Sequence, residues 1–326
     1  MQRRAVLAGL TLGSAAPALA DPPGAGPWAP DRSVRLVVPF PPGGPTDLVA
    51  RPLAARLTQV LGQQVVVDNR GGAGGNLGAE AVARAAPDGL TLLLSNVGVL
   101  AVNPSLYRRL PFEPERDFAP IAVLAGAPVA LVVNPTVPAT NVSEFVAWTR
   151  EQRGAVPFGS AGAGSPGHLV GEVFRSLTGA ALSHLPYRGS APALQDVVAG
   201  HIQVMFDPVQ SPLAQLQAGR VRALAVSAPA RSLALPAVPT MAEAGVPGLE
   251  FVAWWALVAP AATPAPALAR YAAEVERLDT DPAWRTGLVR QGISPMFRGP
   301  VAMPAFLRAE TVRWGAAVQA SGASAE

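Results

Sequence analysis

Two glycine-rich stretches hold most of the polar chemistry this chain offers. The first runs Phe40-Pro41-Pro42-Gly43-Gly44-Pro45-Thr46-Asp47, the second Gly159-Ser160-Ala161-Gly162-Ala163-Gly164-Ser165-Pro166-Gly167. Each follows a short apolar run and precedes a helical pattern. Glycine lets a backbone approach a ligand, and a helix start beyond it points unpaired N–H groups and a partial positive charge at the gap. Such a site binds anions. One loop alone is equally an ordinary tight turn, whereas two in separate domains point to a cleft between them. Thr46, Ser160 and Ser165 add hydroxyls that orient ligand oxygens, and neither loop holds a Lys or Arg. A branched side chain at Gly44 would fill the volume a carboxylate needs and strain the backbone. Asp47 would repel an anion, so it reads either as a ligand contact or as a capping group for helix N–H bonds. Asp207, directly after a β run, either faces the cleft, taking a hydroxyl, an ammonium or a bridging water, or caps the following helix. The candidate ligand site is therefore Phe40, Pro41, Gly43, Gly44, Thr46 and Asp47, with Ser160, Ala161, Gly162, Ser165 and Asp207.

Enzymatic readings are weaker. Gly72-x-Gly74-x-x-x-Gly78 follows a strand and opens a helix, but Leu77 takes the last place of Gly-x-Gly-x-x-Gly. It leaves an NADP-dependent oxidoreductase as the alternative function. Ser165 and His168 suggest a nucleophile pair, yet Gly-x-Ser-x-Gly fails at Ala163. With three histidines and no cysteine a metal cluster is poorly supplied, and His184 and His201, far from His168 in sequence, read as turn or core residues. No acid-base dyad, metal site or cofactor is expected.

The elements that position these loops follow from periodicity. Val34 to Pro39 is a strand and Thr46 to Leu61 a helix, with Pro52 expected to kink it or delay its start. The same grammar repeats with strand Val65 to Asp68, loop Gly71 to Gly75 and helix Asn76 to Ala86, then a Pro87-Asp88-Gly89 turn into strand Leu90 to Ser95. Alternating strand and helix predicts a parallel sheet covered on both faces. A second unit starts with strand Pro128 to Val133. A helix follows from Val142 to Arg153, its start marked by Asn141 and Ser143, then strand Val156 to Phe158 and helix His168 to Leu177. Strands at Ser183 to Pro186, Gln203 to Phe206 and Arg222 to Val226 alternate with helices at Ala191 to Ala199 and Pro212 to Ala218. After Ser227 come a strand from Phe251 to Val258 and helices at Ala265 to Leu278 and Met303 to Val318. Phe251 to Leu257, with Trp254 and Trp255, is short enough to be a buried strand rather than a membrane span. The C-terminal segment is too small for a domain and is expected to return to the first one, so that two chain crossings form a hinge.

Length and composition bound the class. The 326 residues suggest two domains, and 50% hydrophobic against 14% charged residues exclude a disordered chain. The 32 glycines and 35 prolines are scattered along periodic segments and indicate many turns. All basic charge is Arg, with no run of five or more, and the net charge is only +3, which argues against a nucleic-acid partner. Residues 1–20 have the layout of an export signal: Arg3 and Arg4, an apolar stretch from Ala5 to Ala16, and Ala18-Leu19-Ala20 before Asp21. The paired arginines permit Tat as well as Sec export. Cleavage after Ala20 leaves a net charge of +1. Residues 21–32 read as a tether, and the mature chain as a periplasmic, unanchored monomer.

Several of these segments are familiar together. The first glycine loop, Asp68-Asn69-Arg70-Gly71-Gly72-Ala73-Gly74-Gly75-Asn76, Asn103-Pro104-Ser105-Leu106-Tyr107, Asp117-Phe118-Ala119-Pro120-Ile121, the second loop, Pro186-Tyr187-Arg188-Gly189-Ser190-Ala191-Pro192 and Met205-Phe206-Asp207 resemble the Bug family. These are extracytoplasmic solute receptors associated with tripartite tricarboxylate transporters, and the match covers nearly the whole mature chain in order. The resemblance implies an α/β fold of the two-domain, type II periplasmic-binding-protein (Venus-flytrap) architecture. In it a small carboxylate is held in a cleft largely by backbone groups of the two loops, and membrane subunits of a transporter are the implied partner. The expected division is residues 33–125 plus 229–326 for domain 1 and residues 126–228 for domain 2. Ser95-Asn96-Val97-Gly98-Val99-Leu100 departs from the family's more usual threonine-bearing version, and Gly71 stands where proline is common.

Overall fold

The computed structural model describes residues 28–325. The signal expected at residues 1–20, its cleavage point after Ala20, and residues 21–27 of the tether lie outside the described residues. Among the described residues no helix is long and apolar enough to cross a membrane.

Strands β1 (Val34–Val38), β2 (Val65–Asn69) and β3 (Thr91–Asn96) pair in parallel with β1 in the middle. The crossovers are α1 (Pro45–Leu61) and α2 (Asn76–Ala83). Successive strand residues face opposite sides, so Val34, Leu36 and Val38 pack with Val49, Leu53 and Leu57 of α1, while Val37 joins Ala79 and Val82 of α2. The helix expected from Thr46 starts at Pro45 and continues through Pro52, without the expected late start. Pro52 lies on the exposed side of α1, where water can take the carbonyl that the missing N–H leaves unpaired.

After the short helices α3 (Asn103–Leu106) and α4 (Pro114–Asp117), the 16-residue strand β4 (Phe118–Val133) runs through the molecule. Periodicity showed it only from Pro128, because Pro120 and Pro128 read against a strand; bulges beside Pro120 accommodate the first. Beyond it lie α5 (Val142–Glu151), β5 (Val156–Ser160), α6 (Pro166–Thr178), β6 (Leu182–Pro186), α7 (Ser190–Ala199), β7 (Val204–Pro208), α8 (Leu213–Gln217) and β8 (Arg222–Val226). The chain ends with β9 (Val252–Pro260), α9 (Ala265–Thr280), α10 (Pro282–Arg290), β10 (Ser294–Arg298) and α11 (Met303–Ser321). The strand order is β2-β1-β3-β9-β4-β7-β5-β6, with β10 and β8 also on β4.

The all-parallel sheet that alternation suggested is corrected to a mixed one. β5 pairs in parallel with β6 and β7, but β9, β10, β7 and β8 all meet β4 antiparallel, and β9 meets β3 antiparallel. β4 thus carries β9 and β10 along its first part and β7 and β8 along residues 129–133. The chain passes this point again at Ser227 and Phe251. The Ser227 N–H donates to the Val129 carbonyl at 2.8 Å, and the Phe251 N–H donates to the Ser227 carbonyl at 2.6 Å. Residues between these two passes stay with β8, Met241 N–H donating to the Val226 carbonyl at 2.8 Å. The C-terminal segment returns to the first strands through β9 and β10, while α11 packs on both α6 and the 98–106 segment.

Candidate functional site

β1 and β5 run at their carboxyl ends into the two predicted loops, and β3 and β7 carry Ser95 and Asp207 near theirs; carboxyl ends of parallel strands are where open α/β sheets bind ligands. At the end of β1, Gly43 has φ +78, a left-handed conformation that favours glycine, whereas Gly44 is extended at φ −78 and ψ 173. The strain expected at Gly44 is therefore corrected. A side chain there meets ordinary contact, 3.4 Å from the Pro41 carbonyl oxygen, without backbone strain.

Asp47 is 1% exposed and closes this loop on itself. Its Oδ2 accepts from the Gly43 N–H at 2.9 Å and from Arg51 Nε at 2.6 Å, and Oδ1 accepts from Asn69 Nδ2 at 3.1 Å. Burial pushes its pKa up, but the Gly43, Arg51 and Asn69 hydrogen bonds together with the Arg51 charge hold it below the usual carboxylate range. Its capping bond goes to a loop N–H rather than to the helix. Asn69 also donates to the Phe40 carbonyl at 3.0 Å, and Gly71 lies against the Pro41 ring. The Thr46 hydroxyl accepts the Trp255 indole proton at 3.0 Å and keeps its own proton to donate. Helix geometry leaves the Thr46 and Asp47 N–H groups of the first turn without intrahelical partners. Sequence reasoning missed Asn69 and Trp255, since both act across the sheet; the Trp254-Trp255 pair was the available signal.

At the end of β5, Ser160 is fully buried. Its Oγ accepts from the Gly162 N–H at 3.2 Å and sits 2.7 Å from His184 Nε2. Gly162 and Gly164 have φ of +131 and +74, and Ala161 and Ser165 are half-buried. Ser165 Oγ caps α6, accepting from the His168 backbone N–H at 3.3 Å, while the imidazole Nδ1 accepts from the Gly164 N–H at 3.0 Å. The ring is thus committed to the loop rather than to the Ser165 hydroxyl. His184, read as a turn or core residue far from His168 in sequence, is half-buried and stacks on His168 with ring centroids 3.8 Å apart. Burial lowers the pKa of both rings, to about 3 for His184, which also feels His168.

Asp207, at the end of β7, is fully buried, and neither carboxylate oxygen makes a hydrogen bond of normal geometry. It caps no helix. Burial pushes its pKa up to about 6, against the weaker opposing influence of the nearby Ser190 and Ser211 hydroxyls. Ser95 Oγ, near the end of β3, is likewise buried without a partner.

The two loops are linked through the 71–75 turn and α3. Gly74 lies against Tyr107, Gly75 against Val99 and Phe40, and Leu106 packs on Gly164 of the second loop. The Gly72 loop is filled by the protein itself: Leu77 folds over Gly72, and a Cβ on Gly78 would lie 2.7 Å from the Arg70 carbonyl oxygen. Its glycines serve packing rather than a dinucleotide. Surface cavities of about 380 and 550 Å3 lie elsewhere, one between α8 and α10 and one at the start of α5.

Comparison with known proteins agrees with this geometry. Residues 49–323 match the family model described as "Tripartite tricarboxylate transporter family receptor". Protein BugT of Bordetella pertussis is 38% identical over 316 residues, covering 96% of this chain and 94% of its own. The structure of Rpa4515 with adipate, from R. palustris, is 36% identical with a TM-score of 0.85, covering 90% of this chain and 99% of its own. MatC from Rhodopseudomonas palustris, with bound malate, is 36% identical with a TM-score of 0.80, covering 89% and 99%. The oxidoreductase alternative falls with this match, and the mixed α/β fold is that of a two-domain binding protein. The chain belongs to the tripartite tricarboxylate transporter receptor family, whose members are periplasmic solute receptors and not enzymes.

Proposed function

We propose that this chain captures a small organic carboxylate between its two glycine loops and delivers it to membrane subunits of a tripartite tricarboxylate-type transporter. The observation that carries the reading is that β1 and β5 each end in a glycine loop that opens a helix N-terminus, and that the two loops are joined by a short chain of contacts, Phe40 with Gly75, Gly74 with Tyr107 and Leu106 with Gly164. Both loops lack basic side chains, so the Thr46 and Asp47 backbone N–H groups, the Thr46 hydroxyl and the Ala161 backbone hold the carboxylate, while Gly162, its N–H given to Ser160 Oγ, shapes the loop around it. Phe40 and Pro41 wall the first loop, and Ser165 keeps α6 in place. Asp207 and Ser95, buried without partners, take a hydroxyl or other donor of the solute; a rejected solute lacking that donor leaves them unpaired. The adipate and malate found with the two similar structures support a dicarboxylate.

β4 and the Ser227 to Phe251 return are the two crossings between the domains. Domain 1 then takes residues 33–125 and the C-terminal strands and helices. Domain 2 starts at residue 126 and extends toward Phe251, because residues 239–241 pair with β8. Export with cleavage after Ala20 completes the reading. Calorimetry of protein starting at Asp21 with adipate, malate and citrate, beside mass spectrometry of co-purified solute, tests it. Dicarboxylate binding with the solute recovered unchanged is expected; no response to any carboxylate, or turnover of one, overturns it.

A further inference from the structure

We propose that the stacked pair His168 and His184 is a positioning device that holds the second glycine loop in its binding geometry; this rests on that loop's place in the solute site. The pair exists because of strand register. β5 and β6 align Phe158 with His184 and Ser160 with Pro186, so Phe158, Ser160 and His184 share one face. α6 lies over that face and brings His168, in its first turn, onto His184.

Each ring then ties down a different part of the loop. The His168 Nδ1 lone pair accepts the buried Gly164 N–H, which places that ring's own proton on Nε2. His184 Nε2 shares a proton with Ser160 Oγ at 2.7 Å, and the same Oγ accepts the Gly162 N–H. Gly162 and Gly164 both have positive φ, a conformation these bonds maintain without lengthening the loop. A proton added to His168 Nδ1 removes the acceptor of the Gly164 N–H. A proton on each of two rings 3.8 Å apart is opposed by mutual repulsion. Glu172, one turn along α6 and paired with Arg175 at 2.7 Å, favours the charged form of His168 but does not offset burial. The loop therefore keeps its shape with both rings neutral and loses it in acid.

Nitrogen NMR of ring-labelled protein, with amide exchange at Gly162 and Gly164, tests the device without any solute. His184 is expected neutral at pH 5.5, where an ordinary histidine is mostly protonated, and His168 is expected to titrate below an ordinary histidine. His168→Phe keeps a stacking ring but removes the acceptor, and Gly164 exchange should rise by at least about tenfold with circular dichroism unchanged. His184→Phe should do the same at Gly162. For binding, adipate affinity should fall about tenfold in His184→Phe and in Ser160→Ala, and no further in the double variant, because one residue acts through the other. Ordinary titration of both rings with unchanged exchange overturns the proposal, as does simple addition of the two affinity losses. Absence of adipate binding in the parent protein would count against the carboxylate reading alone, since ring and exchange data still decide the device.

Discussion

Asp207 combines full burial with the absence of a hydrogen-bond partner, and its carboxylate should be felt in solution. With its folded pKa raised from 3.8 to about 6, the native state binds more protons than the unfolded state between those values, so stability falls as pH rises through that window. The expected loss is about 3 kcal/mol, complete above pH 6. Urea unfolding at pH 4, 5, 6 and 7 measures it, and Asp207→Asn should flatten the slope; an equal slope in the variant would assign the effect to another group. Asp47 works in the opposite sense, because its folded pKa is depressed and its stabilisation is lost only as pH falls below the ordinary carboxylate range. Gly43 and Gly44 separate conformation from volume. Gly43→Val should lower stability by about 1–2 kcal/mol through its positive φ. Gly44→Val, at the N-cap of α1, should cost only about 1 kcal/mol and leave the protein folded, yet abolish dicarboxylate binding. Thermal unfolding and calorimetry on both variants check this, and retained affinity in folded Gly44→Val would remove the first loop from the site.

α6 is positioned by glycine as much as by apolar burial. A Cβ at Gly167 would run into the Phe206 carbonyl of β7, and one at Gly171 into the Phe158 ring. Backbone cannot move aside as a flexible side chain can, so Gly167→Ala should cost about 3 kcal/mol and displace the α6 N-terminus from the cleft. Denaturation midpoint and dicarboxylate affinity should fall together; a stable variant with normal affinity would show that α6 shifts freely. The indoles of Trp254 and Trp255 show how alternation serves two faces of β9. Trp254 and Trp314 donate to the buried Glu310 at 2.9 and 3.0 Å, while Trp255 turns the other way to Thr46. α10 and β10 escaped sequence reading because β10 is half-buried up to the exposed Arg298, with no alternation, and meets β4 across a register shift.

Closure should be the response of the molecule as a whole to its solute. In the proposed division the lobes are joined by β4 and by the return at Ser227, whose hydroxyl accepts from the Val129 N–H at 3.0 Å and donates to the Phe251 carbonyl. A solute shared between loops on opposite lobes favours the closed state by contacts that the open state cannot make. Small-angle scattering should show compaction with adipate or malate but not with acetate. At 100 times its dissociation constant the solute should stabilise the fold by about 2.7 kcal/mol. Binding without compaction would place the solute on one lobe only.

What the amino-acid sequence determined by itself was local. Gly43-Gly44 and Gly162 to Gly164 mark where the chain turns, apolar runs mark β1, β2, β3 and β5, and Asn141 marks a helix start by its side-chain bond to an N–H group a turn away. Each of these depends on neighbours within about four residues, so its signal is written in order along the chain. The tertiary structure decided the rest, because it depends on register and on long loops closing. The full length of β4 is stabilised by four antiparallel partners rather than by its own composition, which Pro120 and Pro128 oppose. Trp255 reaches Thr46 across 209 residues, and His184 reaches His168 only because β5 and β6 pair in one register out of several. A one-residue slip there would turn His184 to the opposite face, and no spacing in the sequence records which register forms.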